Sequence, residues 1–336
     1  MAGPVFLTGG TGFIGGAVLR QLIDDGREVR ALARSEAAAT AVEAAGARPI
    51  LGDVLDERAL VDGMLGAESV FHVAGVNAMC RADSASMLRV NVEGSAAVLR
   101  AAAVANIARV VYTSSAATIG EPRGIVGRED TPHRGSFLSE YERSKFLAEQ
   151  RVLALGSELG VHVVSVNPSS VQGPGRVGGS ARLLLELMNA RLPVVVDTFV
   201  SIIDIDDCVA GHLSAEIRGL PGERYLLTGS SLTTRHAVAL VRSITGRPRR
   251  VLRVPPTAAT LAGVIAGWIS RVGRRELPFC PELARTLLHG HRYDGSRATR
   301  ELGLSYRPVE ETVARTLAWY ADRGLIRPLH DAGHVP

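Results

Sequence analysis

Lysine is almost missing from this chain of 336 residues. Of its 38 basic residues, 37 are arginines and a single one, Lys145, is a lysine. The arginines raise the isoelectric point to about 9.2, yet the net charge is only +4 and no long basic run occurs. Because basic charge that is not clustered gives little support to nucleic-acid binding, we expect no nucleic-acid partner.

Cysteines and long apolar stretches are scarce as well. Cys80, Cys208 and Cys280 lie far apart, and none of them forms a pair with the spacing of metal ligands. This pattern predicts a reducing compartment, no disulfide framework and no metal site. The longest apolar run, residues 257–269, is too short to span a bilayer, and no signal-peptide pattern precedes the first strand. We therefore expect a cytoplasmic globular protein without a membrane span.

The first half of the chain alternates short β-branched runs with stretches of helical spacing. Strict alternation of this kind predicts βαβ units, and hence an α/β fold with a doubly wound parallel sheet of the Rossmann type. The predicted strands are 4–9, 28–34, 47–53, 69–75, 108–115 and 161–169, and the longest predicted helices are 84–104 and 138–158.

From about residue 175 the pattern changes to short strands mixed with more numerous helices. We predict a nucleotide-binding domain over 1–174 and a smaller, mostly helical substrate-binding part over 175–336, some of whose elements return to the main domain. The predicted strands of this part are 193–196, 223–229 and 250–255, and its helices are 206–217, 233–245, 257–272, 281–289 and 308–322.

A glycine-rich turn, TGGTGFIGG at residues 8–16, connects the first predicted strand to the first helix. Gly9 permits a tight turn, Gly12 lets the backbone approach a pyrophosphate, and Gly15 lets the helix pack closely on the strand. The N-terminus of that helix supplies free N–H groups and the positive end of the helix dipole. Since the turn lies within the first βα unit, it predicts a dinucleotide site.

The end of the second strand distinguishes two dinucleotides. NAD sites carry an acidic residue there for the ribose 2′-hydroxyl, but this strand ends with Ala33 and Arg34. An arginine beside a missing carboxylate favours a 2′-phosphate, although an arginine in this chain can also be merely solvated. We therefore predict NADP(H), with NAD(H) as the alternative.

Tyr141 and Lys145 are four residues apart in the stretch YERSK, and helical spacing puts them on one face. A phenol has an unperturbed pKa of about 10, and a neighbouring ammonium favours its ionised form. The compact lysine head also reaches ribose hydroxyls in a way that a guanidinium does not replace. These requirements explain why the single lysine stands here, and they predict a catalytic pair.

A third catalytic group is expected to be a hydroxyl that donates to a carbonyl oxygen. Thr113, Ser114 and Ser115 end the fifth predicted strand, at the sheet edge where ligands bind in open α/β folds. Residue types alone leave the choice among these three hydroxyls open.

These motifs, with FHVAG (71–75), NVEG (91–94) and NPSSVQGPG (167–175), resemble the extended short-chain dehydrogenase/reductase family over nearly the whole chain. The family is also the NAD-dependent epimerase/dehydratase superfamily. The resemblance implies that Ser115, with Ser114 as the alternative, is the catalytic hydroxyl. It also implies that Asp53 meets the adenine amine, although Asp53 suits a helix N-cap too. The implied cofactor contacts are Gly9, Thr11, Gly12, Phe13, Ile14, Gly15, Arg34, Asp53, Val54, Val73, Ala74, Gly75, Thr113, Ser114, Tyr141, Lys145, Pro168 and Val171.

The later segments 194–212 and 293–312 resemble the dihydroflavonol-reductase-like and 3β-hydroxysteroid-dehydrogenase-like branch. This implies an NADP(H)-dependent carbonyl reductase or alcohol dehydrogenase that acts on an apolar small molecule, with Tyr141 as general acid and base. One alternative is a nucleotide-sugar epimerase or dehydratase with tightly bound NAD. Segment 194–212 lacks the arginine of such enzymes, for which Arg176 or Arg182 could compensate. A non-catalytic NADP-sensing protein is a further alternative, but such proteins commonly lack the tyrosine–lysine pair.

Three further expectations concern surfaces and histidines. The apolar helix 257–272 is expected to cover an apolar pocket, to touch a membrane surface, or to form a core or oligomer contact. The family resemblance implies a homodimer through helices 84–104 and 138–158. His72 is predicted to be a structural residue or part of the cofactor wall. His289 and His291 have no carboxylate or cysteine partner at useful spacing, so we predict that they are surface residues.

Overall fold

The architecture is that of a computed structural model, which describes residues 3–77, 79, 84–190, 193–246, 250–273 and 280–327. Its strands are β1 (Val5–Thr8), β2 (Val29–Ala33), β3 (Arg48–Leu51), β4 (Ser69–His72), β5 (Arg109–Thr113), β6 (His162–Pro168), β7 (Ser170–Gln172), β8 (Val194–Val196), β9 (Phe199–Asp204), β10 (Arg224–Leu227), β11 (Ser230–Thr233) and β12 (Leu252–Val254).

Helices cover the sheet and build most of the second half of the chain. They are α1 (Phe13–Asp24), α2 (Glu36–Ala44), α3 (Glu57–Met64), α4 (Ser84–Leu88), α5 (Ser95–Val104), α6 (Glu140–Leu159), α7 (Ala181–Asn189), α8 (Ile205–Arg218), α9 (Thr234–Thr245), α10 (Pro256–Gly273), α11 (Pro281–His289) and α12 (Val309–Asp322). The predicted helix 84–104 is continuous, but a π-helical segment, Arg89–Gly94, separates α4 from α5.

The main sheet has seven parallel strands in the order β3-β2-β1-β4-β5-β6-β10. Its central strands are buried on both faces, which explains why they are continuous β-branched and apolar runs. Helices α1 and α8 contribute to the core on one face, and α3, α5 and α6 contribute to the core on the other. This arrangement confirms the predicted doubly wound parallel sheet.

The strand order reverses between β1 and β4, which are hydrogen-bonded neighbours although β2 and β3 follow β1 in the sequence. Ligands of open α/β sheets bind at such a switch point, beyond the carboxyl ends of the strands. Here those ends are Thr8 and His72. The glycine turn after β1 and the segment after β4 therefore border the same crevice.

The residues after 174 contribute to two places. Strand β10 lies beside β6 in the main sheet, with Tyr225 opposite Val166, and α8 packs against the same sheet. The rest forms a separate core from α7, α9 and α12, whose buried members include Leu187, Val241 and Leu317. Two small sheets, β11-β9-β7 and β12-β8, accompany it. Helix α7 and strands β7, β9 and β11 were not predicted from the sequence.

Candidate active site

The glycine turn is held where it leaves no room for larger side chains. Gly9 has a φ of +80°, and a Cβ there would lie 2.7 Å from the backbone nitrogen of Ala74. A Cβ on Gly15 would lie within 2.1 Å of the Gly9 carbonyl oxygen, so helix α1 can approach the turn only through glycine. The conformation thus matches the role predicted for Gly9 and Gly15.

The first turn of α1 leaves its N–H groups free for an anion. Its N-cap is Gly12, which makes no side-chain capping hydrogen bond, and the first turn has no acidic residue. Thr11 and Gly12 are exposed, while Phe13 and Ile14 are half-buried. Uncapped N–H groups at the positive end of a helix dipole suit the pyrophosphate of a dinucleotide. The residues present therefore fit a nicotinamide dinucleotide at this end of the crevice.

The ribose end of the crevice has an exposed cation. Strand β2 ends at buried Ala33, and Arg34 follows as an exposed residue. Within the described part of the chain, no carboxylate lies at salt-bridge distance from Arg34. Asp53 accepts a hydrogen bond from the Leu55 amide at 3.0 Å, whereas the N-cap of α3 is Asp56. The helix-cap explanation of Asp53 is therefore wrong, and its carboxylate lies in the loop beyond β3.

Tyr141 and Lys145 lie one turn apart at the start of α6. The helix begins after Ser139, whose hydroxyl accepts a hydrogen bond from the Glu142 amide at 3.1 Å, and it ends at the left-handed Gly160. This N-cap fixes Tyr141 in the first turn and places Lys145 beneath it on the same face. The predicted spacing therefore brings both side chains to the carboxyl edge of the sheet.

The Lys145 ammonium is buried against the end of β5. It donates hydrogen bonds to the Thr113 carbonyl at 2.8 Å and to the Tyr112 hydroxyl at 3.1 Å. A Cβ on Gly75 would lie 3.8 Å from its Nζ, so the head also reaches the segment after β4. Burial lowers the pKa of Lys145 to about 8, although the Glu149 charge opposes this shift.

The Tyr141 phenol interacts with Ser115 and with a second cation. Burial raises the pKa of Tyr141, and a hydrogen bond with Ser115 and the charge of Arg176 oppose that rise. The Arg176 guanidinium lies 5.4 Å from the ring of Phe13, at the start of α1.

The structure distinguishes between the two candidate serines. Ser115 is half-buried, and its hydroxyl lies at the N-cap of the short 3₁₀ turn Ala116–Ile119 and bonds with Tyr141. Ser114 is buried, and its hydroxyl has no hydrogen-bond partner in the described part of the chain. Thr113 bonds with His212 at 2.9 Å instead. Ser115 as the catalytic hydroxyl stays a prediction.

A buried polar network supports the segment after Ser115, and sequence reasoning missed it. The Asn167 side-chain amide donates to the Ser115 carbonyl at 3.2 Å and to the Thr118 hydroxyl at 2.9 Å. Thr118 and Asn167 both bond with the fully buried carboxylate of Glu149, which also pairs with Arg224 at 3.1 Å. The position of Glu149, one turn beyond Lys145 on α6, was the only signal in the sequence.

The segment after β4 and the segment after β6 complete the walls. Asn91, in the π-helical segment, donates to Ser144 at 2.9 Å and pairs with the backbone of Val76, which ties the segment after β4 to α6. Val73 and Ala74 are half-buried and Gly75 is exposed, whereas Val54, Pro168 and Val171 are buried.

His72 is a structural residue, as one of its two predicted roles required. It bridges the hydroxyls of Thr8 at 2.7 Å and Ser95 at 2.9 Å, and burial followed by the charge of Lys145 lowers its pKa to about 3. A neutral buried imidazole with both nitrogens engaged does not serve as a base near pH 7.

His289 and His291 are not surface residues, so that prediction is wrong. Both approach Glu121, a buried carboxylate far away in the sequence, at 3.6 Å and 2.7 Å. Burial disfavours the charged carboxylate, but hydrogen bonds from both histidines outweigh it and lower the pKa of Glu121 to about 2. No local spacing could have revealed this contact.

The cysteines also differ from expectation. Cys208 is free and buried, whereas Cys280 is disulfide-bonded. The sequence predicted no disulfide framework, and the disulfide of Cys280 contradicts that prediction. Cys80 lies outside the described residues.

The apolar helix α10 leaves one side uncovered. Leu261, Val264, Ile265, Trp268 and Ile269 are all about half exposed or more, so core packing does not explain this side. No helix in the described part of the chain combines the length and the hydropathy needed to cross a membrane.

Comparison with known proteins agrees with this geometry. The chain is 32% identical to the protein named "Putative dihydroflavonol 4-reductase" from Synechocystis sp., over 97% of both chains. It is 31% identical to "Sterol demethylase protein B" from Methylococcus capsulatus, over 95% of this chain and 99% of that one. The structure of a dTDP-glucose 4,6-dehydratase from Streptomyces venezuelae, solved with NAD bound, has the same fold with a TM-score of 0.75; it is 23% identical, and the match covers 97% of this chain and 99% of that one.

The family match covers the part of the chain that contains the candidate active site. The model of the NAD dependent epimerase/dehydratase family matches residues 5–219, from β1 to the end of α8. The chain therefore belongs to the NAD dependent epimerase/dehydratase family, the extended short-chain dehydrogenases/reductases.

Proposed function

We propose that the protein is an NADP(H)-dependent carbonyl reductase or alcohol dehydrogenase that acts on an apolar small molecule. The observation that carries this proposal is the Tyr141 phenol, bonded with Ser115 and one turn from Lys145, at the carboxyl edge of the sheet beside the glycine turn. Three relatives that are 30–32% identical are named as reductases, which supports this proposal, whereas a relative named UDP-glucose 4-epimerase is 27% identical.

The chain's own residues supply geometry and a proton. Tyr141 donates its proton to the oxygen of the carbonyl group as negative charge develops there, and in the oxidation direction it takes the proton back. Ser115 donates a hydrogen bond to the same oxygen, which stabilises the charge in the transition state. The buried ammonium of Lys145 binds ribose hydroxyls and keeps a positive charge below the phenol. The nicotinamide, when bound, supplies or accepts the hydride.

Helices α10 and α11 support an apolar substrate. The Glu282 carboxylate of α11 accepts a hydrogen bond from the Glu140 amide at 3.1 Å, so α11 contacts the first turn of α6, in which Tyr141 lies. Helix α10 packs on α11 so closely that a Cβ on Gly263 would lie 2.9 Å from the Ala284 Cβ. The side of α10 that does not face α11 is apolar and exposed, and such a surface suits an apolar ligand.

Replacing the phenol tests the mechanism. We expect Tyr141→Phe to lower the rate of NADPH-dependent reduction of aryl ketones and 3-ketosteroids by at least ~100-fold, because the proton donor is lost. NADPH affinity, measured by fluorescence titration, should stay near the wild-type value because the ring remains. Tyr306→Phe, which removes a hydroxyl bonded to the Gly295 carbonyl, is the matched control. Wild-type rates in Tyr141→Phe would exclude the proposed mechanism.

A cofactor titration tests the preference for NADP(H). We expect NADPH to bind more tightly than NADH, and Arg34→Ala to weaken NADPH by roughly tenfold or more while leaving NADH unchanged. Arg58→Ala is the control, since this arginine is exposed on α3 with a side-chain accessibility of 93%. Protein that is purified already loaded with NAD would instead favour a nucleotide-sugar epimerase or dehydratase.

A further inference from the structure

Glu121, His289 and His291 form a compact group that the proposed reaction does not use. We call it the Glu121 cluster. Its three ligand-type atoms lie within 4.8 Å of one another, with the His291 Nδ1 2.7 Å and the His289 Nε2 3.6 Å from Glu121 Oε1. The His289 Nε2 also bonds with the Glu121 backbone carbonyl at 3.0 Å, and metal binding would replace this hydrogen bond. Glu121 follows the 3₁₀ turn of Ser115, and His289 is the last residue of α11. The cluster therefore joins the two sides of the candidate active site.

One oxygen of the cluster is unsatisfied. Glu121 is 1% exposed, and its Oε2 is buried without a hydrogen-bond partner in the described part of the chain. Buried carboxylate oxygens are normally bonded, because leaving one unpaired forfeits its hydration without compensation. This oxygen is therefore available as a ligand for a cation.

Among the described residues, no arginine donates a hydrogen bond to this oxygen, although the charge of Arg134 is felt by Glu121. Arg134 pairs with the Glu142 carboxylate and reaches only the backbone carbonyl of Glu121, at 3.4 Å. Arg292 donates to the Gly124 carbonyl and lies over the Phe199 ring at 4.7 Å. In addition, the carboxyl end of α11 points its helix dipole at His289, which favours a cation there.

We propose that the Glu121 cluster binds one divalent transition-metal ion of the zinc class. Two imidazoles and one carboxylate are a donor set that suits Zn²⁺ and Co²⁺, whereas Mg²⁺ and Ca²⁺ prefer oxygen ligands alone. Ligand atoms around tetrahedral zinc, bound at about 2.1 Å, lie about 3.4 Å apart. The observed separations bracket that value, so small side-chain rotations complete the site.

The surroundings leave room for ligand exchange. Neutral imidazoles bind metal through a nitrogen lone pair after their proton has moved to the other ring nitrogen. A cavity of about 410 Å³ borders His289, so one member of the cluster can be approached from this side. The Tyr293 hydroxyl, 3.0 Å from His291 Nδ1, is a second oxygen next to the cluster.

The proposed role of the ion is to fix one structural link. The loop after the 3₁₀ turn and the segment after α11 already share a backbone bridge. In this bridge the Gly127 amide donates to the Arg292 carbonyl, and the Asp294 amide donates to the Gly127 carbonyl. A metal bound by Glu121, His289 and His291 would connect the same loop and segment through their side chains as well. Since α11 also contacts the first turn of α6, the link stabilises the wall beside Tyr141.

Cobalt titration of the full-length protein, stripped beforehand with a chelator, tests the proposal. We expect saturable binding of one Co²⁺ per chain with the intense visible absorption of a tetrahedral site, and displacement by Zn²⁺. Glu121→Gln and His291→Gln should each weaken Co²⁺ binding by at least roughly tenfold. The control His236→Gln, which changes an exposed histidine of α9, should bind like the wild type.

Thermal unfolding provides a second readout that does not depend on one variant. Zn²⁺ should raise the melting temperature of the wild type and of His236→Gln, and it should leave that of His291→Gln unchanged. If Glu121→Gln fails to fold, the Co²⁺ titration and the melting temperature of His291→Gln test the proposal alone, because this variant keeps the Glu121 carboxylate. Equal Co²⁺ affinity in wild type and His291→Gln, or no saturable binding at all, would overturn the proposal.

Discussion

Two cations lie near the Tyr141 phenol, one on the helix side and one on the loop side of the crevice. Lys145, on the helix side, is fixed by helical spacing and by hydrogen bonds to Thr113 and Tyr112. Arg176, on the loop side, lies over Phe13 of the glycine turn and donates to the Val171 carbonyl. The position of Lys145 follows from local helical geometry. The position of Arg176 depends on a contact between two loops that are distant in the sequence.

This difference separates two roles that a single lysine was expected to combine. The charge of Arg176 opposes the rise in the Tyr141 pKa, while the Lys145 ammonium is hydrogen-bonded to the end of β5. We propose that Lys145 acts through its fit to the buried position and the ribose as well as through its charge, and that Arg176 further adjusts the protonation of Tyr141. Substitutions of Lys145 and of Arg176 should therefore change the activity in different ways.

The largest effect is expected on the helix side. Lys145→Arg should lower turnover by at least ~100-fold, because the planar guanidinium is larger than the ammonium and the space bounded by Thr113 and Tyr112 is closed. The chain offers a reciprocal control on the same helix. Arg143→Lys changes an arginine whose side chain is 46% exposed and paired with Glu140, so its turnover should match the wild type. Steady-state kinetics with NADPH would measure both, and more than a tenth of wild-type activity in Lys145→Arg would contradict the inference.

What could be predicted from the sequence follows the same division. The alternation of β-branched runs and helices gave the parallel sheet, because each strand is buried on both faces and so has a continuous apolar pattern. Tyr141 and Lys145 were predictable because four residues make one helical turn. The glycine turn was predictable because only glycine fits at Gly9 and Gly15.

What could not be predicted depends on contacts between distant segments. Asn167 and Glu149 hold the Ser115 segment from β6 and α6, and nothing in their neighbourhood distinguishes them from surface polar residues. His289 and His291 meet Glu121 across 168 and 170 residues, and spacing rules do not reach that far. The structural role of such polar groups can be recognised only from the fold, which shows that they are buried away from water.

A smaller effect is expected on the loop side, and pH reveals it. Arg176→Met removes a positive charge that opposes the rise in the Tyr141 pKa, so this pKa should increase further. Alcohol oxidation needs the ionised phenol, and its rate climbs as the pH approaches that pKa. In Arg176→Met the increase in the oxidation rate with pH should therefore occur at higher pH. At neutral pH the rate should fall less than it does in Lys145→Arg. Arg182→Met, which changes an exposed arginine of α7, should keep the wild-type profile. Identical pH profiles in Arg176→Met and Arg182→Met would show that Arg176 only packs against Phe13, because a packing role lowers the rate without moving the titration.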